Sequence, residues 1–378
     1  MSSGVSVPGE RITSEERGIP AVKDDGTAAE LVVVSGARAA VREAAAPDPL
    51  AVALATRPSW GGRRSRAAAL ASVAMAVPEN VVSNATVAAA AGVTEQWIVH
   101  RTGVHERRYV ADGQRLTDLA AAAGRRALEE AEVPAEDVDM VLVACLAPDD
   151  LTPNAAPLVA YELGAQRAGA MDVGAACTGF ISALALAASQ VESGRCEHVL
   201  VIGADVMSRF LDPADRGTSA LFADGAGASL VGPADRFGGE IGPISLYADG
   251  AGGPTIRATH EDQIIRMQGH DTFKAAVQRL SESTLEAVAA VELELDDIGL
   301  FVYHQANARI LAAVGERLGI DSERVAASID RYGNTSSATL PIAMVDAREQ
   351  GRLEPGMNVL LAAFGAGFAW GAGVIRWG

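Results

Sequence analysis

From Ala67 to the C-terminus, short apolar runs alternate with segments whose apolar residues recur at helical spacing. This alternation predicts an α/β fold with a largely parallel sheet covered by helices on both faces. The second half repeats the alternation of expected strands and helices seen in the first, which favours an internal duplication around one core. The expected strands are 68–77, 138–146, 170–173, 198–204, 221–231, 298–303, 325–328, 358–364 and 368–377, and the expected helices are 95–101, 116–130, 155–163, 178–193, 272–291, 308–318 and 338–350.

The composition excludes several classes of protein. A formal net charge of −17 is unsuited to a nucleic-acid binder or to a protein held on anionic membranes. Three cysteines are too few and too scattered for a disulfide framework or a zinc site, so no metal is expected. We recognise no apolar run long enough for membrane insertion and no signal peptide, so the expected location is cytoplasmic.

Residues 1–65 differ in composition from the rest of the chain. They mix glycine, proline, serine and alanine with charged residues and carry one apolar run, 31–34. Such a segment buries too little apolar surface to offset the entropy of ordering it. We therefore expect residues 1–65 to be a poorly ordered leader.

Cys177 follows a short apolar strand and a turn of small residues, and it lies at the start of a long helix. Unpaired backbone N–H groups and the helix dipole favour an anion at that position, which predicts a lowered thiol pKa and a nucleophilic thiolate. Gly174 and Gly179 leave room for a substrate beside the sulfur. The competing interpretation is a buried structural cysteine, the more common role of a lone cysteine.

His304 and Asn334 are candidate partners of the cysteine. His304 ends an apolar strand, and Asn334 lies between an expected strand and a helix. Functional loops gather at the carboxyl ends of parallel strands, although a core histidine and a turn asparagine are the ordinary alternatives. Papain-like proteases use Cys, His and Asn in the same order, but the aromatic-flanked papain signature is absent, so a hydrolase is disfavoured.

Residues 363–371 form a glycine-rich connection between the last two strands. A tight hairpin is the structural interpretation. The functional interpretation is a set of backbone amides that face a developing oxyanion together with the amide of Cys177. No helix or lysine follows in the Walker pattern, so a phosphate-binding loop is disfavoured.

Taken together, these motifs resemble those of the β-ketoacyl-acyl-carrier-protein synthase III family of the thiolase superfamily. The similarity runs from about Arg66 to Gly378. The segments that carry it are 96–103, 172–180, 215–218, 304–307, 333–336 and 365–371.

The resemblance implies a thiolase-like, five-layered α-β-α-β-α fold built from two duplicated halves. Residues 66–235 would form the N-terminal half with the nucleophilic cysteine, and residues 236–378 the C-terminal half with the histidine and asparagine. It also implies a homodimer, with acyl-CoA and malonyl-acyl-carrier protein as substrates and with no bound cofactor.

The family chemistry implies a role for each matching residue. Cys177 would take the acyl group of an acyl-CoA primer, with the oxyanion held by its own amide and that of Ala366. His304 and Asn334 would donate hydrogen bonds to the malonyl thioester carbonyl as CO₂ leaves, and Phe364 would form an aromatic wall beside the cysteine. The remaining positions are Trp97 and Arg216 around the CoA adenine, Arg101 at its phosphate, Asn307 on the pantetheine arm, and Lys274, Arg309 and Arg317 for carrier-protein docking.

Four positions depart from the family pattern. Glu316 replaces a residue that is often basic on the carrier-docking face, and His270 replaces a common asparagine near the pantetheine arm. Ala366 replaces the middle glycine of the C-terminal turn, which is tolerable if only its N–H is used. Thr152 stands where a residue from the partner protomer lines the bottom of the acyl pocket, and its small size implies room for a branched, aromatic or longer primer.

The alternative function uses the same fold and cysteine to move an acyl group, without condensation, onto a carrier protein or onto a hydroxyl or amine of a natural product. The presence of Asn334 favours condensation. A degradative thiolase is disfavoured because the C-terminal glycine turn has no second cysteine. A binding-only paralogue is disfavoured because Cys177, His304 and Asn334 are all present.

Overall fold

The computed structural model describes residues 66–378. The expected leader, residues 1–65, lies outside the described residues. The strands are β1 (Ala68–Leu70), β2 (Ala74–Ala76), β3 (Val81–Ser83), β4 (Glu106–Arg108), β5 (Met140–Ala144), β6 (Gly169–Val173), β7 (Val199–Val206), β8 (Asp224–Pro233), β9 (Glu240–Ala248), β10 (Ile256–Arg257), β11 (Arg266–Met267), β12 (Leu300–Tyr303), β13 (Asn358–Gly365) and β14 (Ala369–Arg376). The helices are α1 (Asn84–Ala91), α2 (Glu95–Thr102), α3 (Leu116–Glu130), α4 (Ala155–Leu163), α5 (Gly179–Glu192), α6 (Ala234–Phe237), α7 (Gly269–Ala289), α8 (Ala308–Leu318), α9 (Ile329–Tyr332) and α10 (Thr339–Glu349).

Two main sheets carry the fold. The first has the order β1-β8-β7-β5-β6, with β2 also paired to β8, and the second has the order β12-β13-β14-β9. Both sheets are mixed, which corrects the expectation of a largely parallel sheet. Among the named strands of residues 66–378, the parallel pairs are β5 with β6, β5 with β7 and β12 with β13. The pairs β7–β8 and β13–β14 are antiparallel because no crossover helix separates their strands.

The helices form three layers around these sheets. α3 and α4 pack on the outer face of the first sheet, α5 and α10 lie between the two sheets, and α7 and α8 cover the outer face of the second. The result is the expected five-layered α-β-α-β-α arrangement. The central layer is the most apolar, because α5 is covered on both sides and presents Phe180, Ile181 and Leu184 with no exposed surface. None of the described helices combines the length and apolar character needed to cross a membrane.

Residues 68–77 form two short strands instead of the one expected. Both β1 and β2 pair with β8, and the connection between them bends where Ser72 donates its hydroxyl hydrogen bond to Ala127 O at 2.8 Å. Val73 N donates to Glu130 Oε1 at 3.1 Å. A backbone carbonyl and a side-chain carboxylate of α3 thus hold this bend.

Two further expectations about strands were wrong. Residues 325–328 do not form a strand, because Gln305 occupies the hydrogen-bonding groups of this segment: its side chain accepts from Ser328 N and donates to Ala326 O. β9 was missed altogether, since Gly242 and Pro243 interrupt its apolar pattern. In the structure β9 pairs with β14 and completes the second sheet.

β6 is an edge strand. The expectation for residues 170–173 was a buried strand, but within the described part of the chain β6 pairs only with β5, and its residues are partly or largely exposed. Cys177 follows β6 and His304 follows β12, so both lie at the carboxyl ends of strands that have a parallel neighbour.

Candidate active site

Cys177 lies in a single 3₁₀ turn, Ala176–Thr178, that leads directly into α5. The turn begins strained, since Ala176 has φ +45°. The sulfur faces a cavity and the side chain is half-buried. Gly365, at the end of β13, packs against it so closely that a Cβ on Gly365 would lie 2.9 Å from Cys177 Cβ and 3.1 Å from Cys177 N. A glycine is therefore required there.

The expected lowering of the thiol pKa is wrong for this structure. Burial, and to a smaller extent the charge of Asp205, raise the pKa of Cys177, and hydrogen bonds from Ser336 and the backbone lower it, so that the resulting pKa is about 11. The sequence pattern showed the helix N-terminus but not the desolvation, and here desolvation outweighs the favourable amides. The resting cysteine is thus a neutral thiol.

His304 follows β12 and is 2% exposed. Its backbone N donates to Ala362 O at 2.8 Å, and Nδ1 lies 2.6 Å from Thr339 Oγ1. Burial lowers the pKa of His304 to about 3, so the ring is neutral near pH 7. With Nδ1 paired to Thr339, Nε2 is the ring nitrogen left to interact with a ligand.

Asn334 is preceded by the short helix α9, and not by a strand as expected. Its backbone bridges to the segment before β8: Asn334 N donates to Leu221 O, and Ala223 N donates to Asn334 O, both at 2.9 Å. The side-chain Oδ1 accepts from Ser336 N at 2.9 Å. Because the oxygen is used inside the protein, the amide N–H groups remain for a ligand.

Asp205 was missed by the sequence reasoning. It lies near the end of β7, and its carboxylate accepts from Leu146 N, Ser337 N and Ser337 Oγ at 2.6, 3.0 and 2.7 Å. It thereby holds the turn that follows Asn334. Burial raises the pKa of Asp205 to about 6. An acidic residue inside the otherwise apolar run 199–206 was the only signal that could have marked it.

A cavity of about 410 Å³ joins most of the expected site residues. Cys177, His304, Asn334 and Phe364 line it, and so does His270. The residues expected to bind CoA also line it, and these are Trp97, Arg101, Arg216 and Asn307. A single channel therefore connects the thiol with an exposed cluster of arginines and one tryptophan. Within residues 66–378, no cluster of histidine, cysteine and acidic side chains could hold a metal ion.

At the arginine-rich end, the guanidinium carbons of Arg216 and Arg101 lie 5.5 and 5.9 Å from the centre of the Trp97 ring. Cations and an aromatic face at this spacing suit a planar, negatively charged ligand. Asn307 caps α8 by accepting from Arg309 N at 2.9 Å, and its Nδ2 donates to Arg101 O at 3.1 Å. One N–H of the Asn307 amide remains for a ligand.

The other expected residues lie around the cavity. Lys274 on α7 and Arg309 and Arg317 on α8 are exposed, and Arg309 also lines the cavity. Ala366 directly follows Gly365, next to the thiol. Thr152 is different: it lies in an exposed loop before α4 and does not line the cavity of its own chain.

Comparison with known proteins identifies the family. The models "3-Oxoacyl-[acyl-carrier-protein (ACP)] synthase III" and its "C terminal" counterpart match residues 171–250 and 288–377. A β-ketoacyl-[acyl-carrier-protein] synthase III from Roseiflexus sp. (strain RS-1) is 43% identical over 324 residues, covering 82% of this chain and 98% of that protein. The chain belongs to the β-ketoacyl-acyl-carrier-protein synthase III family.

Solved structures agree with this assignment. The synthase resembles 3-oxoacyl-[acyl-carrier-protein] synthase III from Aquifex aeolicus VF5 with a TM-score of 0.80 and 36% identity, covering 82% of this chain and 100% of that one. It resembles the priming β-ketosynthase of the R1128 polyketide pathway with a TM-score of 0.80 and 35% identity, covering 85% and 99%. The fold is therefore thiolase-like. The synthase is an acyltransferase, and its condensation reaction initiates fatty-acid synthesis or, as in the R1128 relative, primes polyketide synthesis.

Proposed function

We propose that the synthase condenses an acyl-CoA primer with malonyl-acyl-carrier protein through an acyl-Cys177 intermediate. The observation that carries this proposal is the shared cavity, which the thiol, a neutral imidazole and a carboxamide with free N–H groups all line. Two neutral hydrogen-bond donors beside a cysteine suit an enolate oxygen and not a peptide bond. This convergence supports decarboxylating condensation over simple acyl transfer, which needs no enolate donors.

In the first half-reaction, the Cys177 thiolate attacks the thioester carbonyl of the primer. The C–S bond to CoA breaks, and the proton lost by Cys177 ends on the leaving CoA thiol. Backbone N–H groups of Cys177 and Ala366 hold the oxyanion formed in between. Gly365 supports the role of the Ala366 amide, because a Cβ at position 365 would keep the end of β13 away from Cys177.

In the second half-reaction, the bond between C2 and the carboxylate of the malonyl group breaks and CO₂ leaves. His304 and Asn334 donate hydrogen bonds to the thioester oxygen, which carries the enolate charge. The enolate carbon attacks the acyl-Cys177 carbonyl, a C–C bond forms, and the Cys177 thiolate is released. A neutral His304 supports this assignment, since it can donate without adding a charge to a buried site.

We propose that the arginine-rich end of the cavity holds CoA. Trp97 and Arg216 would contact the adenine, Arg101 a phosphate, and Asn307 the pantetheine arm through its remaining N–H. Exposed Lys274, Arg309 and Arg317 would receive the acidic carrier protein, with Arg309 at the cavity wall.

We propose a homodimer that forms along the β6 edge. Large apolar side chains are exposed on the elements around this edge: Leu151 is 96% exposed, Tyr161 77%, Met171 48% and Leu186 46%. An unpaired edge strand with exposed apolar neighbours is typical of an interface. Thr152 lies in the same region, so the partner's copy would reach the acyl pocket. Its small size supports a branched, aromatic or longer primer.

The test is mass spectrometry of the purified enzyme with a panel of acyl-CoAs, followed by malonyl-carrier protein. An acyl adduct on Cys177, and then a 3-oxoacyl carrier with release of CO₂, is the expected result. Cys177→Ala is the control and should form no adduct. An adduct that forms without any decarboxylation of malonyl-carrier protein would replace condensation with acyl transfer.

A further inference from the structure

The turn after Asn334 contacts all three candidate catalytic residues. Ser336 N donates to Asn334 Oδ1 at 2.9 Å, and Ser336 Oγ donates to Cys177 Sγ at 3.6 Å. Thr339 Oγ1 lies 3.1 Å from Ser336 O and 2.6 Å from His304 Nδ1. The hydroxyls of Ser336 and Thr339 therefore each contact a different member of the site.

This turn is held rigidly from behind. Ser337 is bound to Asp205 through both its N and its Oγ, and Ser337 Oγ also donates to Ala144 O at 2.8 Å. Ser336 has φ +54° and is 1% exposed. A buried serine in the left-handed region persists only where the surroundings determine its conformation, and such positions cluster at functional sites. The fold thus holds the hydroxyl of Ser336 within hydrogen-bonding distance of the sulfur.

We propose that these two hydroxyls divide the reaction between them: Ser336 stabilises the Cys177 thiolate for acyl transfer, and Thr339 sets the protonated nitrogen of His304 for decarboxylation. The proposal rests on the proposed condensation. Ser336 is a further catalytic residue, because it contacts the reacting sulfur. Thr339 is a positioning residue that acts through His304.

The role of Ser336 follows from the charges around the thiol. Asp205 lies behind the turn and opposes a thiolate, neutral His304 shares the cavity, and the exposed Arg101, Arg216 and Arg309 line the same cavity. Apart from the backbone, the Ser336 hydroxyl is the one described group that favours the ionised sulfur through a hydrogen bond. A donated hydrogen bond stabilises an anion more than a neutral thiol.

The role of Thr339 follows from the single hydrogen that its hydroxyl can donate. A threonine hydroxyl has one hydrogen to donate, and here two acceptor positions compete for it, Ser336 O and His304 Nδ1. When it donates to Nδ1, the imidazole proton lies on Nε2, which can then donate to an enolate oxygen. When it donates to Ser336 O, Nδ1 carries the proton and Nε2 cannot donate. The 2.6 Å contact with His304 is a hydrogen bond in either arrangement. An enolate oxygen at Nε2 selects the first, because only then does Nε2 carry the proton.

Two assays separate the roles. The rate at which iodoacetamide alkylates Cys177 near pH 8 reports the thiolate, and CO₂ release from malonyl-carrier protein in a Cys177→Ala background reports His304. Ser336→Ala should slow alkylation about 10-fold, a larger fall than the one in CO₂ release. Thr339→Val should leave alkylation within about twofold and lower CO₂ release at least about 10-fold, and Thr339→Ser should restore it.

Ser336→Gly is the matched second variant: glycine adopts φ +54° freely, and the substitution removes the hydroxyl together with Cβ. The proposal is overturned if Ser336→Ala and Ser336→Gly alkylate at the wild-type rate, or if Thr339→Val lowers both rates equally. An enzyme with Ser336 and Thr339 intact that releases no CO₂ would overturn the proposed condensation and the role of Thr339. The alkylation assay would still decide the role of Ser336.

Discussion

At the scale of single residues, the site depends on how closely the end of β13 approaches the cysteine. Gly365→Ala would place a Cβ 2.9 Å from Cys177 Cβ, a distance that requires the turn or the strand to move. We expect acylation by acyl-CoA to fall at least about 100-fold, because a displacement of about 1 Å in a reactive geometry costs that much. Stopped acylation reactions analysed by intact mass measure this rate.

Ala366→Gly is the control for this substitution. It removes a side chain from the neighbouring position and keeps the N–H proposed for the oxyanion, so acylation should stay within about threefold of wild type. Equal losses in both variants would show that the turn as a whole is intolerant of change. The specific packing argument for Gly365 would then be wrong.

The state of His304 gives a second prediction at this scale. Because burial lowers the pKa of His304 to about 3, the ring should stay neutral at every pH well above that value. In a Cys177→Ala background, His304 should therefore contribute no inflection to the pH profile of CO₂ release near the usual histidine value of about 6.5. His270 also lines the cavity and the pKa of Asp205 is about 6, so the profile is measured in His270→Asn and in Asp205→Asn as well. An inflection that persists in both variants would contradict the neutral-imidazole assignment.

At the scale of structural elements, Asp205 on β7 fixes the turn before α10. Asp205→Asn replaces a carboxylate oxygen with an amide donor that cannot accept from Leu146 N or from Ser337. We expect a loss of about 2 kcal/mol in the free energy of unfolding near pH 7, where Asp205 is ionised, measured by urea denaturation. Acylation and CO₂ release should fall together, since the displaced turn carries both Asn334 and Ser336.

The pH dependence of this loss has a definite sign. The pKa of Asp205 in the folded chain is about 6, above the usual value of 3.8, so the folded chain binds this proton more tightly than the unfolded chain. The stability of the wild type relative to Asp205→Asn should therefore decrease by about 1.4 kcal/mol per pH unit as pH rises from about 4 to about 6, and level off above. A difference that instead grows with pH over this interval would refute the raised pKa.

Helices were easier to predict from the sequence than strands. α4 and α8 were predicted with correct bounds, because each has a clear apolar stripe and ends at a glycine, Gly164 or Gly319, in the left-handed region. β9 could not be predicted, since Gly242 and Pro243 break its pattern and its pairing with β14 joins segments more than 100 residues apart. Residues 325–328 were predicted to form a strand because they are mostly apolar. The sequence alone does not distinguish an apolar segment paired in a sheet from one whose backbone is hydrogen-bonded by a side chain.

The candidate site shows the same limit. Cys177, His304 and Asn334 could be singled out because each follows a recognisable element, and the structure brings all three to one cavity. The raised pKa of Cys177 and the anchoring by Asp205 could not be foreseen, since both arise from burial and from contacts between distant segments. Sequence patterns report local geometry, whereas desolvation is a property of the assembled fold.

At the scale of the whole molecule, the exposed edge of the first sheet carries the proposed homodimer. Leu151, Tyr161 and Met171 expose large apolar surfaces on three neighbouring elements, and β6 leaves backbone groups without a strand partner on one side. The two proposed halves, 66–235 and 236–378, remain a prediction. The dimer is directly testable, because a charge on β6 would have to be buried against a second copy.

Met171→Lys should therefore convert the synthase from a dimer to a monomer, measured as a halved mass by light scattering at a fixed concentration. Leu285→Lys is the matched control: Leu285 is 49% exposed on α7, far in sequence from β6, and its substitution should leave the mass unchanged. If Thr152 of the partner subunit closes the acyl pocket, the monomeric variant should also lose its discrimination between short and long acyl-CoA primers. A wild-type monomer, or a Met171→Lys variant with the wild-type mass, would remove the partner subunit from the acyl pocket and with it the structural basis proposed for primer choice.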